Sequence, residues 1–95
     1  MIIDVIIQAY NEQDAIAKVI QALPKNILRE IIVVNNNSSD ATTENAKAAG
    51  ATVLTETRQG YGFACLKGIA YLTGKAIPPD IVLFIDADNQ NNPHR

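Results

Sequence analysis

The fold of this chain is predicted best from one stretch, Ile81-Val82-Leu83-Phe84-Ile85, which is followed directly by Asp86-Ala87-Asp88. Five consecutive large apolar residues, most of them β-branched, are typical of a strand that is buried on both faces of a sheet. Two carboxylates then stand where the strand leaves the sheet. Such oxygens suit Mg²⁺, which proteins often hold with one or two carboxylates and substrate phosphates. The stretch therefore predicts either a metal site at Asp86 and Asp88 or a plain strand end with a capped turn.

Three more apolar segments precede this one, and a helical pattern separates each from the next. Strands are predicted at residues 2–7, 31–34 and 51–55. The resulting order, β-α-β-α-β-α-β, requires crossover connections between neighbouring strands. We therefore predict an α/β fold with a mainly parallel sheet. Ninety-five residues are enough for one such domain, spanning residues 1–95.

The predicted helices have recognisable ends. The first is expected to have Asn11 as its N-cap and to end at Pro24. The second is expected to follow the capping oxygens of residues 38–40 and to end at Gly50, and the third to open at Gly60-Tyr61-Gly62. Apolar spacing predicts two buried helical faces, formed by Ile16, Val19, Ile20 and Leu23 and by Cys65, Gly68, Ile69 and Leu72.

Composition excludes several classes of protein. Apolar residues make up 47% of the chain, which is typical of a globular protein, and the net charge of −2 with scattered basic residues argues against nucleic-acid binding. No apolar stretch approaches the roughly 18–20 residues that span a bilayer. The first residues lack the charged region of a signal peptide. A single cysteine, Cys65, excludes a disulfide framework. We expect a cytoplasmic protein.

Polar clusters follow all four predicted strands. They comprise residues 8–12, 35–40, 58–62 and 86–90. In open parallel sheets, ligands bind beyond the carboxyl ends of the strands. Because the four clusters share that edge, the sequence predicts a binding crevice there.

The third cluster has features of a phosphate site. Gly60 and Gly62 stand between a strand and a helix, where backbone N–H groups and the helix dipole favour an anion, and Arg58 adds a planar cation. A plain glycine turn is the alternative. The glycine fingerprint of dinucleotide-binding folds should follow the first strand, and it is missing there, as is the Walker A pattern.

The other polar and aromatic residues leave alternatives open. Tyr10 either stacks on a nucleobase or packs on the neighbouring helix. Residues 35–37 are asparagines that either contact a base or ribose or form a turn. Cys65 is expected to be a small core residue, and His94 to lie in a frayed chain end.

Taken together, these clusters resemble the nucleotide-binding half of a family 2 glycosyltransferase with the GT-A fold. The resemblance covers essentially the whole chain. It is carried by Ala9–Glu12, Val33–Asp40, Arg58–Gly62 and Asp86–Gln90 with Pro93. The last two motifs are most similar to dolichyl- or polyprenyl-phosphate hexose synthases. The resemblance implies a three-layer, Rossmann-like α/β arrangement.

The resemblance also implies ligands and residue roles. The donor would be a UDP- or GDP-sugar, with Mg²⁺ or Mn²⁺ at the Asp-x-Asp motif. The implied nucleotide-sugar-binding residues are Ala9, Tyr10, Glu12, Asn35, Asn36, Asp40, Arg58, Gly60, Gly62 and Asp86. Tyr10 and Asn36 would contact the base, and Asp40 and Arg58 would line the pocket. Asp86 would face the ribose or the metal, which Asp88 would coordinate.

Three features depart from the family pattern. The family usually has proline or a small residue at the position of Gln8, and aspartate at the position of Asn35. The acceptor half and the acidic general base are not expected within residues 1–95, so no catalytic residue is assigned. An unpaired sheet edge is expected instead, and it invites a homodimer.

The leading hypothesis is therefore the donor-binding half of a glycosyltransferase. Its acceptor would be a polyprenyl phosphate or a saccharide, bound through residues outside this chain, and a longer parent would act in the cytoplasm at the inner face of a membrane. The alternative is a non-catalytic nucleotide-binding or regulatory module. A nucleotidyltransferase ranks last, because it would need a glycine-rich loop with arginine after the first strand.

Overall fold

A computed structural model describes residues 1–87, in which strands and helices alternate. The elements are β1 (Ile3–Ala9), α1 (Ile16–Gln21), β2 (Glu30–Asn35), α2 (Thr42–Ala48), β3 (Thr52–Thr55), α3 (Tyr61–Thr73) and β4 (Ile81–Asp86). The predicted order of elements is therefore confirmed. Asp88 and His94, on which predictions were made, lie outside the described residues. None of the helices within residues 1–87 is long and apolar enough to cross a bilayer.

The four strands form one parallel sheet in the order β3-β2-β1-β4. Ile7 of β1 lies opposite Val33 of β2 on one side and Ile85 of β4 on the other. After β1 the chain extends the sheet in one direction through β2 and β3, and it then returns to form β4 on the opposite side of β1. Such a reversal leaves a crevice beyond the carboxyl ends of the two strands that flank it.

Helices cover both faces of the sheet, so the chain has three layers. Side chains alternate along each strand, and alternate positions of β1 and β2 therefore face α1 with α2, or α3. The first face buries Val5, Ile7, Ala9, Ile16, Ile20, Ile31, Val33 and Ala46. The second face buries Ile6, Ile32, Val34, Ala64 and Leu72. The three-layer α/β arrangement is confirmed.

Helix α3 lies close to β1 because it has a glycine at the contact. A Cβ added to Gly68 would stand 2.7 Å from Cδ1 of Ile6. The buried line of the helix is Ala64, Gly68 and Leu72. The predicted buried face is wrong at two positions, since Cys65 is half-buried and Ile69 is 38% exposed. Each follows a residue of the buried line and is turned about 100° away from it.

The ends of the helices follow the sequence in part. Gly50 after α2 and Gly60 before α3 stand at helix ends as predicted, and their φ angles of 100° and 130° are ones that glycine adopts readily. Helix α1, however, begins at Ile16, whose N–H donates to the carbonyl oxygen of Glu12 at 2.9 Å. Asn11 has a left-handed φ of 51°, so its predicted role as the N-cap is wrong. The side chain of Asn11 instead bonds the loop after β2.

The prediction that β4 is buried on both faces is wrong. Ile81, Leu83 and Phe84 are 38%, 43% and 43% exposed. The physical reason is position, because β4 is an edge strand among the described residues and α3 packs mainly over β1 and β2. The run of apolar residues thus marks a strand whose outer edge and parts of both faces are uncovered in this part of the chain.

An ion pair ties the amino end of the sheet together. Asp4, which interrupts the first apolar strand, is fully buried, and both of its carboxylate oxygens accept hydrogen bonds from Arg29. Nη1 of Arg29 also donates to the carbonyl oxygen of Ile77 at 2.7 Å, and its backbone N–H donates to that of Ile3 at 2.8 Å. The pair therefore links β1 to the connection between α3 and β4.

Candidate functional site

Four polar segments meet at the carboxyl edge of the sheet. They are residues 10–13 after β1, 35–42 from the end of β2, 56–60 after β3, and Asp86 at the end of β4. The strand register places Gln8 of β1 beside Asp86. The structure therefore brings together the described parts of all four predicted clusters. They surround the point where the chain reverses between β1 and β4, the usual position of a ligand site in such sheets.

Asn36 holds the loop between β3 and α3 against the end of β2. Its Nδ2 donates to the carbonyl oxygens of Glu56 and Arg58 at 3.0 and 2.7 Å. Its Oδ1 accepts from the backbone N–H of Gly60 at 3.0 Å and from Nε2 of Gln8 at 3.4 Å. The residue is only 1% exposed. The amide of Asn36 therefore makes four hydrogen bonds inside the protein, and three of them join the loop to the end of β2.

Arg58 is held in place by a carboxylate and an aromatic ring. Its Nε and Nη2 each donate to the Glu56 carboxylate at 3.0 Å, and its backbone N–H donates to the same group at 2.9 Å. Its guanidinium carbon lies 4.4 Å from the centroid of the Phe63 ring. The hydrogen bonds from the side chain and then the backbone of Arg58 lower the pKa of Glu56 to about 2. The Arg58 side chain is still 61% exposed and accessible to a ligand.

The amino end of α3 opens onto the same crevice. Gly60 caps this helix, and its carbonyl oxygen accepts from the N–H of Ala64 at 3.2 Å. The first N–H groups of a helix have no partner within it, and together with the helix dipole they favour an anion. A Cβ added to Gly62 would meet no atom within 4 Å, so the space beside the first turn is open.

The loops after β1 and β2 are joined by reciprocal hydrogen bonds. The backbone N–H of Asn11 donates to Oγ of Ser38 at 2.9 Å, and the N–H of Ser39 donates to Oδ1 of Asn11 at 2.9 Å. Oγ1 of Thr42 accepts from the N–H of Glu12 at 2.9 Å. These contacts fix the two loops relative to each other and form one wall of the crevice.

Asp40 braces the same wall. Its carboxylate accepts from the N–H of Thr42 at 3.0 Å, from the hydroxyl of Thr42, and from the N–H of Gln13 at 3.3 Å. Burial by itself would raise the pKa of Asp40, but the hydrogen bonds outweigh burial and lower it. The predicted lining residue Asp40 therefore lies at the border of the crevice with its carboxylate already engaged.

The remaining residues at this wall differ in exposure. Tyr10 is 46% exposed, which fits a ring that is accessible to a ligand better than one packed on a helix. Ala9 is 1% exposed, and its methyl group belongs to the core. Asn35 is 8% exposed, and its Oδ1 accepts from the N–H of Ser38 at 3.0 Å, a turn-forming contact. The structure thus brings Tyr10 to the surface but not Ala9.

Asp86 ends β4 with an exposed carboxylate. Its charge contributes to a raised pKa of Tyr61, although a hydrogen bond with Cys65 is the main cause and burial the next. A carboxylate at this point fits a hard cation. Within residues 1–87 no three His, Cys, Asp or Glu side chains gather to hold a metal. Asp86 is thus a candidate metal ligand whose described neighbours do not complete a metal site.

Three supporting residues were not predicted from the sequence, namely Gln13, Thr42 and Glu56. Glu56 follows the third strand and precedes Arg58 by two positions, a spacing that puts both side chains on one side of an extended segment. That pattern was a usable signal for the ion pair. Gln13 and Thr42 contact loops that are distant in sequence, so they leave no local signal.

Comparisons with known proteins agree with this architecture. Residues 4–95 match the family described as Glycosyl transferase family 2. Protein RfbJ of Shigella flexneri is 41% identical over 88 residues, which cover 92% of this chain and 64% of the relative. The 4,4'-diaponeurosporenoate glycosyltransferase of Staphylococcus haemolyticus is 36% identical over 101 residues, which cover 97% of this chain and 26% of the relative.

A solved structure shows the same fold. Glucosyl-3-phosphoglycerate synthase from Mycobacterium tuberculosis, crystallised with Mn²⁺, UDP and glucosyl-3-phosphoglycerate, superposes with a TM-score of 0.78 at 33% identity. The match covers 92% of this chain and 33% of that chain. The chain thus spans less than two thirds of each of these three relatives. Because the family match extends over residues 4–95, nearly the whole chain, we conclude that the chain belongs to glycosyl transferase family 2.

Proposed function

We propose that this chain binds a nucleotide-diphosphate sugar with Mg²⁺ or Mn²⁺ and forms the donor-binding half, residues 1–95, of a glycosyltransferase. The observation that carries the proposal is the strand order β3-β2-β1-β4, which collects Tyr10, Arg58, Gly60 and Asp86 around one crevice. The relative that was crystallised with UDP and Mn²⁺ supports a uridine nucleotide as the first ligand to test.

Each wall of the crevice would contact a different part of the donor. The exposed ring of Tyr10 would stack on the base, beside the wall that includes Glu12, Asn35 and Asp40. Arg58 would donate to the diphosphate from its fixed position. Because Glu56 and Phe63 already orient the guanidinium, binding costs little side-chain entropy.

The leaving diphosphate carries the charge that the site must stabilise. Asp86 and Asp88 would hold the cation, whose chemistry is to neutralise the departing diphosphate. Arg58 and the first N–H groups of α3, beside Gly60 and Gly62, would donate to phosphate oxygens. We assign no catalytic base within residues 1–95.

The acceptor and the cellular setting are parts of the same proposal. We propose a polyprenyl phosphate or a saccharide as the acceptor, as in the dolichyl- or polyprenyl-phosphate hexose synthases that the sequence resembles. The relatives named above include a 4,4'-diaponeurosporenoate glycosyltransferase and a glucosyl-3-phosphoglycerate synthase, so acceptors vary within the family. A cytoplasmic location, at the inner face of a membrane in a longer parent, belongs to the same proposal.

Calorimetric titration tests donor binding. The chain would be titrated with UDP and GDP, with and without Mn²⁺, as wild type, Asp86→Asn and Asp88→Asn. We expect Mn²⁺-dependent UDP binding that weakens about tenfold or more in both variants, because each loses a charged ligand. Glu44→Gln is the matched control, since it removes the same charge at an exposed position of α2. A folded wild type that binds neither nucleotide in any condition would contradict the proposal.

The second candidate is a non-catalytic nucleotide-binding or regulatory module. It is favoured by Asn35, which offers an amide where the family usually has aspartate. Both candidates bind UDP, so turnover separates them. The assay needs a longer polypeptide that contains residues 1–95, because we assign neither a base nor an acceptor site to these residues. Release of UDP from UDP-glucose by that polypeptide, with a polyprenyl phosphate or a saccharide present, supports the enzyme, whereas binding without release supports the module.

We also propose that β4 pairs with β4 of a second copy of the chain. The strand exposes Ile81, Leu83 and Phe84, and its residues 81–85 include none of the charged side chains that usually protect an edge. Sedimentation equilibrium should show a dimer that Leu83→Lys disrupts. Leu66→Lys, at a position of α3 that is 61% exposed, should leave the dimer intact. A monomer at all concentrations would contradict this pairing and indicate that other segments of a longer polypeptide cover the edge.

A further inference from the structure

We propose that Asn36 is a positioning residue of the donor site. Its side-chain amide fixes the conformation of the loop formed by residues 56–60 and the position of this loop relative to the end of β2. It thereby places Arg58 and the amino end of α3 for contact with a diphosphate. The inference rests on the proposed donor binding and assigns to Asn36 a role within that site other than contact with the base.

The contacts of Asn36 reach every second residue of the loop. The amide bonds the carbonyl oxygens of Glu56 and Arg58 and the N–H of Gly60, at distances between 2.7 and 3.0 Å. Nε2 of Gln59 donates back to the carbonyl oxygen of Asn36 at 2.8 Å. One buried side chain thus satisfies three backbone groups that would otherwise need water or other partners.

The chemistry of this position requires an amide. Two donors and one acceptor are needed at a residue that is only 1% exposed. Aspartate would set a carboxylate against two carbonyl oxygens, and alanine would leave buried backbone groups without partners. An asparagine side chain supplies both donors and the acceptor at the right length.

The loop connects Asn36 to the groups that are proposed to contact the ligand, namely the Arg58 guanidinium and the amino end of α3. Two of its anchor points are the carbonyl groups of Glu56 and Arg58, whose side chains form the bidentate ion pair. The third is Gly60, the cap of α3. A shift of the loop would therefore move the guanidinium and the helix end together. Displacements of about 1 Å in a positioned group can cost up to about a hundredfold in function.

The test compares Asn36→Ala and Asn36→Asp with Asn26→Ala. Asn26 is an exposed asparagine in the connection between α1 and β2, outside the crevice, so it is a matched control. Three quantities would be measured on the 95-residue chain: the Tm, the hydrogen exchange of the Gly60 amide by NMR, and the Kd for UDP with Mn²⁺. We expect a protected Gly60 amide in the wild type and rapid exchange in both Asn36 variants. The Kd should rise about tenfold or more in these variants and stay unchanged in the control.

A double-mutant cycle with Arg58→Ala separates positioning from general stability. If Asn36 acts through the loop, Asn36→Ala should weaken UDP binding much less when Arg58 is already absent. Additive effects on the Kd would overturn the proposal, as would a wild-type Gly60 amide that exchanges like an exposed peptide. If Asn36→Ala does not fold, Asn36→Asp takes its place in the cycle.

The outcome also distinguishes this proposal from the one it rests on. A folded wild type that binds no UDP overturns both. Wild-type binding of UDP with an unchanged Kd in a folded Asn36→Ala overturns only the positioning role.

Discussion

At the scale of single residues, Gly68 shows how one absent methyl group sets the distance between a helix and the sheet. A Cβ at this position would lie 2.7 Å from Cδ1 and 2.8 Å from Cγ2 of Ile6. Ile6 is β-branched and 1% exposed, so it has little room to turn away. We expect Gly68→Ala to destabilise the protein by about 1–3 kcal/mol, measured by urea unfolding.

The control for this prediction lies in the same helix. Gly62→Ala adds a methyl group that meets no atom within 4 Å, so we expect it to keep or slightly raise the free energy of unfolding. If Gly68→Ala proved as stable as wild type, the helix would have to shift away from β1 at little cost. That result would contradict the tight contact.

The sequence indicated the accessible site residues better than the buried ones. Tyr10 and Arg58 could be predicted from their positions after strands, and both have exposed side chains in the structure. The loop contacts of Asn36 could not be predicted, because its partners lie 20 or more residues away along the chain. An asparagine that contacts a ligand and one that supports a loop look the same in a sequence.

At the scale of elements, the loop between β3 and α3 depends on a charged group. Hydrogen bonds from Arg58 lower the pKa of Glu56 from 4.5 to about 2. Because the folded state binds this proton less tightly than the unfolded state, the ion pair contributes its full stability above about pH 5. That contribution is lost progressively as the pH falls through 4.5 towards 2.

We therefore expect Glu56→Gln to change the pH dependence of stability. The free energy of unfolding of the wild type should fall more steeply between about pH 5 and 2 than that of the variant, so that their difference shrinks in acid. Urea unfolding at several pH values measures this. Asn26→Ala, an exposed substitution that changes no titratable group, should keep the slope of the wild type. Parallel curves for wild type and Glu56→Gln would show that the pair does not lower the pKa of Glu56.

Local signals in the sequence were sufficient for most elements. Apolar runs predicted the strands, and Gly50 and Gly60 predicted helix ends, because each of these patterns involves only a few neighbouring residues. The start of α1 was missed because the side chain of Asn11 bonds the loop after β2 instead of the helix that follows it. The burial of β4 was missed because it depends on which neighbours cover the strand.

At the scale of the whole molecule, the pair of Asp4 and Arg29 fastens distant segments at the amino end of the sheet. Arg29→Met should lower the Tm strongly, since it leaves a fully buried carboxylate without its partner and releases the carbonyl group of Ile77. The double variant Asp4→Val/Arg29→Met should recover much of the loss, because an apolar replacement no longer buries a charge. Thermal unfolding of the three proteins checks this, and a double variant less stable than Arg29→Met would contradict it.

The strand order also has a consequence for how the protein folds during its synthesis. Ile2 and Asp80, which are joined by a hydrogen bond of 2.6 Å, lie 78 positions apart. Closing so long a loop is costly in entropy and slow, whereas β1 and β2 are close in sequence. During synthesis on the ribosome, the edge of β1 that pairs with β4 would have no partner strand until β4 has emerged. We therefore expect the crevice to be the last feature to assemble. A donor nucleotide that binds across β1 and β4 would then hold the two strands together. The fraction of the protein with bound nucleotide would determine how often β4 detaches from the sheet.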